Sequence, residues 1–136
     1  MWDCSLPSGN YLVALENISS VSMHSYLVKE VPGLRVWEVD VAEKGSVVAR
    51  FYAFESVQTP GGAGQAALDR ANASAGSIAD KANIEKAWLS VTKDAGSTHA
   101  HTVDFRVDTV GNLDLLHMSA RETWQSGKSG AFSLSQ

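Results

Sequence analysis

Two histidines are the residues of this chain whose spacing most directly suggests chemistry. His99 and His101 stand two positions apart, and in a β-strand that spacing puts both imidazoles on one face, about 6.5–7 Å apart along the backbone. Two imidazoles so placed can share a metal ion, with a third ligand from His24, His117 or a carboxylate such as Asp104. The alternative, which the pattern favours, is a pair of hydrogen-bonded histidines at the end of an apolar strand face. His99 and His101 are the candidate metal ligands.

Two short glycine motifs resemble phosphate-binding sequences but lack the surroundings that such sites need. Residues 62–67, GAGQAA, fit the G-x-G-x-x-A pattern of dinucleotide-binding turns. That chemistry needs a helix that begins directly at a strand end, whereas residues 57–61 intervene here. Residues 126–129, SGKS, match only the end of a phosphate loop, because Glu122 stands where the pattern requires glycine. We therefore predict no cofactor.

No combination of nucleophile, base and acid stands out in the sequence. None of the serines lies in a G-x-S-x-G motif, and Cys4 is too near the N-terminus to be held rigidly. Glu38, Asp40, Arg50 and Tyr52 fall on one predicted sheet face, but polar groups on the open side of an antiparallel sheet are usually solvated. The sequence leaves enzymatic activity uncertain and favours a non-enzymatic role.

Composition excludes several classes of function. The net charge is −4 and basic residues are scattered singly, so the chain lacks the basic face that nucleic acid requires. The one cysteine, Cys4, rules out an internal disulfide and a multi-cysteine zinc site. No apolar run approaches the roughly 20 residues of a membrane span, so we expect a soluble protein. Cys4 would suit lipid attachment in an exported protein if an export signal had been removed, although the sequence shows no such signal.

The clearest structural pattern is a β-hairpin at residues 34–55. Its strands, LRVWEVDV and SVVARFYAFE, flank the polar turn AEKG at residues 42–45. Gly45 can adopt a positive φ, so the turn predicts that Ala42 faces Ser46 and that Glu38 faces Arg50. Alternation then gives one almost wholly apolar face, which comprises Trp37, Val39, Val41, Val47, Ala49, Phe51 and Ala53.

The opposite face of this hairpin is mixed, and no predicted element covers it. Aromatic and aliphatic side chains on an uncovered sheet face are typical of an interaction surface. The candidate binding surface consists of Val36, Glu38, Arg50, Tyr52 and Phe54.

Periodicity predicts the remaining elements of one domain at residues 10–127. Strands are expected over 10–15, 21–29 and 99–107, with a flexible lead-in at 1–9 and a flexible tail at 128–136. Helices are predicted at Leu68–Ala82 and at Leu113–Trp124, the second with Asn112 as N-cap and Gly127 after its end. Residues 84–91 fit a helix or a strand, with a slight preference for helix.

These elements predict an α+β protein: a largely antiparallel sheet of four to five strands with two or three helices on one face. The functional hypothesis is a non-enzymatic binding or structural module that uses the uncovered sheet face or a sheet edge. Its partner would be another protein or a second copy of this chain. Two alternatives stay open, a small-ligand carrier with a pocket between sheet and helices and a histidine-based metal-binding protein or hydrolase.

Overall fold

The computed structural model of this protein describes residues 1–57 and 101–135, which form an α+β fold of two mixed sheets and one helix. The elements, in chain order, are β1 (Trp2–Leu6), β2 (Gly9–Val13), a 3-10 turn (Leu15–Asn17), β3 (Ile18–Leu27), β4 (Leu34–Glu43), β5 (Val48–Ser56), β6 (Thr102–Arg106), α1 (Val110–Ser126) and β7 (Gly130–Ser133). The predicted helix Leu68–Ala82, the segment 84–91 and His99 lie outside the described residues.

The chain divides into two compact units. Residues 1–24, 37–53 and 101–136 form the first, and the described residues 25–36 and 54–57 belong to the second. Within the second unit, Val28 N–H donates to Leu34 C=O at 3.0 Å and Val57 N–H donates to Gly33 C=O at 2.8 Å. Gly33 has a φ of 79°, a conformation that glycine adopts without the strain that a Cβ would cause.

The α+β class is confirmed, but the single antiparallel sheet is not. The described strands form a three-stranded sheet in the order β2-β1-β7 and a four-stranded sheet in the order β3-β4-β5-β6. In each sheet one pair is parallel, β1 with β7 and β5 with β6. Parallel neighbours need a long connection between them, and residues 57–101 supply one between β5 and β6. Sequence patterns predict strands but not which distant strand each will pair with.

The chain ends are strands rather than the flexible segments predicted at 1–9 and 128–136. β1 pairs antiparallel with β2, Cys4 facing Tyr11, and parallel with β7, Cys4 facing Phe132. Short runs such as WDCSL carry little periodicity, and β7, one of the two partners of β1, lies at the other end of the chain. Burial fixes these ends: Trp2 and Cys4 are completely inaccessible to solvent.

The hairpin of β4 and β5 forms, with a turn one residue further along than predicted. Glu43 N–H donates to Val47 C=O at 2.8 Å and Ser46 N–H donates to Glu43 C=O at 3.2 Å. Ser46, with a φ of 72°, takes the left-handed position that was predicted for Gly45. When the pairing of Glu43 with Val47 is extended along both strands, Asp40 stands opposite Arg50, the position that was predicted for Glu38. A shift of two residues in the pairing leaves each side chain on its predicted face.

The core of the first unit is built around aromatic side chains. Trp2 makes edge-on contacts with Tyr11 and Phe51, with ring centroids 6.2 and 6.0 Å apart. Phe51 stacks on Phe105 at 5.2 Å. Each such pair adds about 0.5–1.5 kcal/mol to the effect of burial. The Trp2 indole N–H donates to Ser119 Oγ at 3.1 Å, so the one polar atom of this buried ring has a partner.

Helix α1 covers this core through Leu113, Leu116 and Ala120, which are fully buried and recur at the spacing of one helix face. The helix begins before the predicted start because Thr109, not Asn112, is its N-cap: the Thr109 side chain accepts from Asn112 N–H at 3.1 Å. Gly127 follows the helix with a φ of 67°, as predicted for a residue in the left-handed C′ position.

Gly130 is expected to be required for the docking of β7 against α1. A Cβ at this position would collide with the Thr123 side chain, so Gly130→Ala should lower the free energy of unfolding by about 1–3 kcal/mol. Adding Thr123→Ala should recover part of that loss. Gly111→Ala is the control, since its Cβ would meet nothing closer than 4.0 Å. Urea unfolding that gave equal stability for Gly130→Ala and the parent would contradict the described position of β7.

Cys4 is expected to be unreactive in the folded protein. Burial, with a smaller effect from the charge of Asp3, raises the pKa of the Cys4 thiol to about 12, and the thiolate is the reactive form. Labelling with an aromatic disulfide reagent should therefore be slow in buffer and fast in denaturant. Native labelling at the rate of a free thiol would contradict this burial.

Candidate functional site

A cluster of charged side chains occupies the face of the four-stranded sheet that points away from the Trp2 core. Glu38 and Asp40 lie two positions apart on β4 and so share this face. Arg50 Nε, on the neighbouring β5, lies 3.7 Å from Glu38 Oε1 and 3.6 Å from Asp40 Oδ1. His24 Nε2, on β3, lies 3.5 Å from the same Glu38 oxygen. Three adjacent strands thus bring two carboxylates, a guanidinium and an imidazole together.

The cluster is buried on one side and open on the other. The side chain of Glu38 is 6% exposed, whereas that of His24 is 49% exposed. Asp40 and Arg50 are intermediate, at 20% and 21%. Charges that are withdrawn from water must be compensated by partners. His24 is therefore the member of the cluster that is most exposed to solvent.

Hydrogen bonding in the cluster is incomplete. Within residues 1–57 and 101–135, Asp40 Oδ1 and the Nε and Nη1 atoms of Arg50 are buried and have no hydrogen-bond partner. The ion pairs of Arg50 with Glu38 and Asp40 are longer than hydrogen bonds. Arg50 therefore compensates both carboxylates by charge alone, without the paired N–H···O contacts that an arginine usually forms with a carboxylate.

A third carboxylate joins the cluster from β6. Asp104 is the register partner of Arg50 in the parallel β5–β6 pair. Burial raises the pKa of Asp104, and the charge of Arg50 together with the polar Tyr52 hydroxyl offsets that rise only in part. For Arg50, burial lowers the pKa, but Tyr52, Glu38 and Asp40 together raise it more. Arg50 stays charged, and Asp104 is the carboxylate that protonates more readily than an ordinary aspartate.

Asp104→Asn is expected to alter the pH dependence of stability. Since the folded-state pKa of Asp104 lies above its ordinary value of 3.8, the folded state binds this proton more tightly than the unfolded chain does. Its contribution to the free energy of unfolding is complete below pH 3.8 and is lost as pH rises through the raised pKa. Over that rise the variant should gain stability relative to the parent, and the difference should then level off. Thermal unfolding across a pH series measures this difference in stability. If the parent gained stability relative to the variant as pH rises, the raised pKa of Asp104 would be contradicted.

The predicted binding surface is buried in this structure. Val36 and Tyr52 are fully inaccessible, and Glu38 and Phe54 are 4% and 8% exposed. The alternation of side chains was predicted correctly, but alternation does not say which faces are covered. A partner cannot reach these four residues in this conformation, and a binding role for Val36, Glu38, Arg50, Tyr52 and Phe54 stays a prediction.

Of the two candidate metal ligands, the structure describes only His101. His99 lies outside the described residues, and His101 is exposed in the turn before β6, where its carbonyl accepts from Val48 N–H at 3.0 Å. In the described part of the chain, the group of three potential ligands that lie close together is His24, Glu38 and Asp40, whose ligand atoms are within 4.8 Å of one another. Sequence reasoning missed this group, although placing β3 beside β4 would have put His24 on the face of Glu38 and Asp40.

A second feature is the outer edge of the same sheet. Among the described strands, β3 lies at an edge of this sheet and has ten residues, ISSVSMHSYL, none of which is Asp, Glu, Lys or Arg. Most of its side chains are exposed, and Leu27 is 59% exposed. Edge strands are normally short or protected by charges, proline or bulges, because their free N–H and C=O groups pair readily with other strands.

Comparison with known proteins found no match to this chain among protein-family models, curated proteins or solved structures. Among the described residues, no helix has both the length and the apolar character needed to cross a membrane.

Proposed function

We propose that this protein is a non-enzymatic binding module that associates with a second copy of itself through strand β3. The observation that carries the proposal is a ten-residue strand at a sheet edge that contains no Asp, Glu, Lys or Arg and has seven exposed residues. Such an edge offers a row of backbone donors and acceptors to an incoming strand, and backbone hydrogen bonding is how strand addition obtains its affinity.

The other sheet edges are less suited to this role. β2 and β7 have five and four residues, so they offer few backbone groups to a partner. β6 has five residues and carries Asp104 and Arg106, which would be brought close to a partner strand. Only the length and neutrality of β3, among the described strands, combine in the way that edge-to-edge pairing needs.

The sequence of β3 suits pairing with an identical strand. An antiparallel pair about a two-fold axis at Ser22 places Val21 opposite Met23 and Ser20 opposite His24 of the second copy. Val21 and Met23 pack partly against the core, so this register continues the apolar side of the sheet from one copy to the other. This register pairs nearly the whole length of β3 with its copy, and it places no two side chains of like charge opposite each other.

Ser22→Lys is expected to convert the dimer to a monomer, because a lysine at the axis would face a second lysine across the pair and disrupt the edge. Ser22 is exposed, so the fold should be unaffected. Sedimentation equilibrium at micromolar concentrations measures the change. Asn10→Lys, at an exposed position on the edge strand β2, is the matched control and should stay dimeric.

A cysteine at the same position tests the register directly. Opposed residues in an antiparallel pair have Cα atoms about 4.5–5.5 Å apart, within the range that a disulfide spans. Ser22→Cys should therefore form a disulfide-linked dimer under mild oxidation, while the buried Cys4 does not react. A parent chain that is monomeric, or a dimer lost with Asn10→Lys but kept with Ser22→Lys, would overturn the proposal. Capture of a different protein by a monomeric parent would replace self-association with a heterologous partner.

A further inference from the structure

We propose that His24, Glu38 and Asp40 bind a divalent transition metal ion, with Zn²⁺ as the ion that the donor set and spacing fit. The inference is independent of self-association, because it rests on the face of the sheet and not on its edge. One imidazole and two carboxylates form a donor set found in zinc sites.

The spacing of the three donors is close to what a metal ion needs. With ligand bonds of about 2.0–2.1 Å, two ligand atoms of a tetrahedral zinc ion are about 3.3 Å apart. His24 Nε2 and Glu38 Oε1 are already 3.5 Å apart, and all three donors lie within 4.8 Å of one another. Small side-chain rotations bring them into coordination, because the strands hold the three backbones side by side.

The charge balance of the cluster favours a cation. Glu38, Asp40 and Asp104 carry three potential negative charges, and Arg50 supplies one positive charge between them. Asp40 Oδ1 is buried and accepts no hydrogen bond from any described residue. A buried carboxylate oxygen without a donor is costly, and a metal ion would satisfy it. This unmet acceptor is an observation separate from the spacing of the donors.

Arg50 is the cation that a metal ion would have to displace. Its Nε lies 3.6–3.7 Å from the same two oxygens that would bind the metal, at ion-pair distance but without hydrogen bonds. Removing this charge should make the carboxylates more available to a metal. If the cluster had only a structural role, removing the charge of Arg50 would lower the stability of the protein without raising its affinity for a metal.

The exposure of His24 determines how the ion would enter and what would complete its shell. The side chain is 49% exposed, whereas the side chain of Glu38 is 6% exposed. Metal would arrive from the solvent side of β3 and meet the carboxylates behind the imidazole. Three protein ligands leave a fourth position of zinc to water.

Calorimetric titration of the untagged full chain with Zn²⁺ tests the proposal. The parent should bind one ion per chain. His24→Ala should weaken Zn²⁺ binding at least about tenfold, because losing even a residue that only orients a metal ligand lowers affinity on this scale. The variant should fold normally because the His24 side chain is half-exposed. His101→Ala is the matched control and should bind like the parent. Arg50→Met should bind several-fold more tightly.

Co²⁺ substitution provides a second measurement that does not depend on affinity. A tetrahedral site with one imidazole should give visible absorption in the parent that is lost in His24→Ala and kept in His101→Ala. Absence of saturable binding by the parent would overturn the proposal. Loss of binding in His101→Ala but not in His24→Ala would move the site to the histidines before β6, and unchanged or weaker binding by Arg50→Met would overturn the displacement of Arg50.

Discussion

The alternation of side chains along β4 and β5 is the constraint on which the rest of this structure depends. Because successive residues of a strand point to opposite faces, Val39, Val41 and Phe51 face the apolar core while Glu38, Asp40 and Arg50 face away from it. The same two strands therefore define both the hydrophobic core and the charged cluster. A shift of one residue in either strand would move its side chains to the opposite face, whereas the observed two-residue shift from the expected pairing leaves each side chain on its predicted face.

The two ends of the chain complete the core that β4 and β5 begin. β1 and β7 form their parallel pair, and Trp2 brings its ring between Tyr11 and Phe51. Contacts between residues so far apart in sequence are slow to form, because the loop they close must be ordered first. Stability in this unit is consequently shared between the hairpin and the termini, and the close approach of Gly130 to Thr123 fixes how β7 meets the helix.

The charged face shows a compromise between stability and potential function. Arg50 balances Glu38 and Asp40 by charge but leaves hydrogen-bonding atoms unmet within the described residues. A cluster selected only for stability would pair these groups more closely or replace them with apolar side chains. At the adjacent edge, β3 likewise lacks the charges that usually protect an exposed strand. Both features lie on the same sheet, and they are the observations on which the proposed metal binding and the proposed self-association rest.

The sequence by itself determined the local elements of this protein. Alternation identified the hairpin and assigned each of its side chains to a face, and the spacing of Leu113, Leu116 and Ala120 with Gly127 identified helix α1. These features depend on neighbouring residues, so local patterns are enough to predict them. Only the tertiary structure decided that the chain ends become strands, that each sheet contains a parallel pair, that the face of Tyr52 is buried, and that His24 meets Glu38 and Asp40. Each of these depends on contacts between segments distant in sequence, and neither the pairing of such segments nor what covers a face is encoded in the periodicity of any one of them.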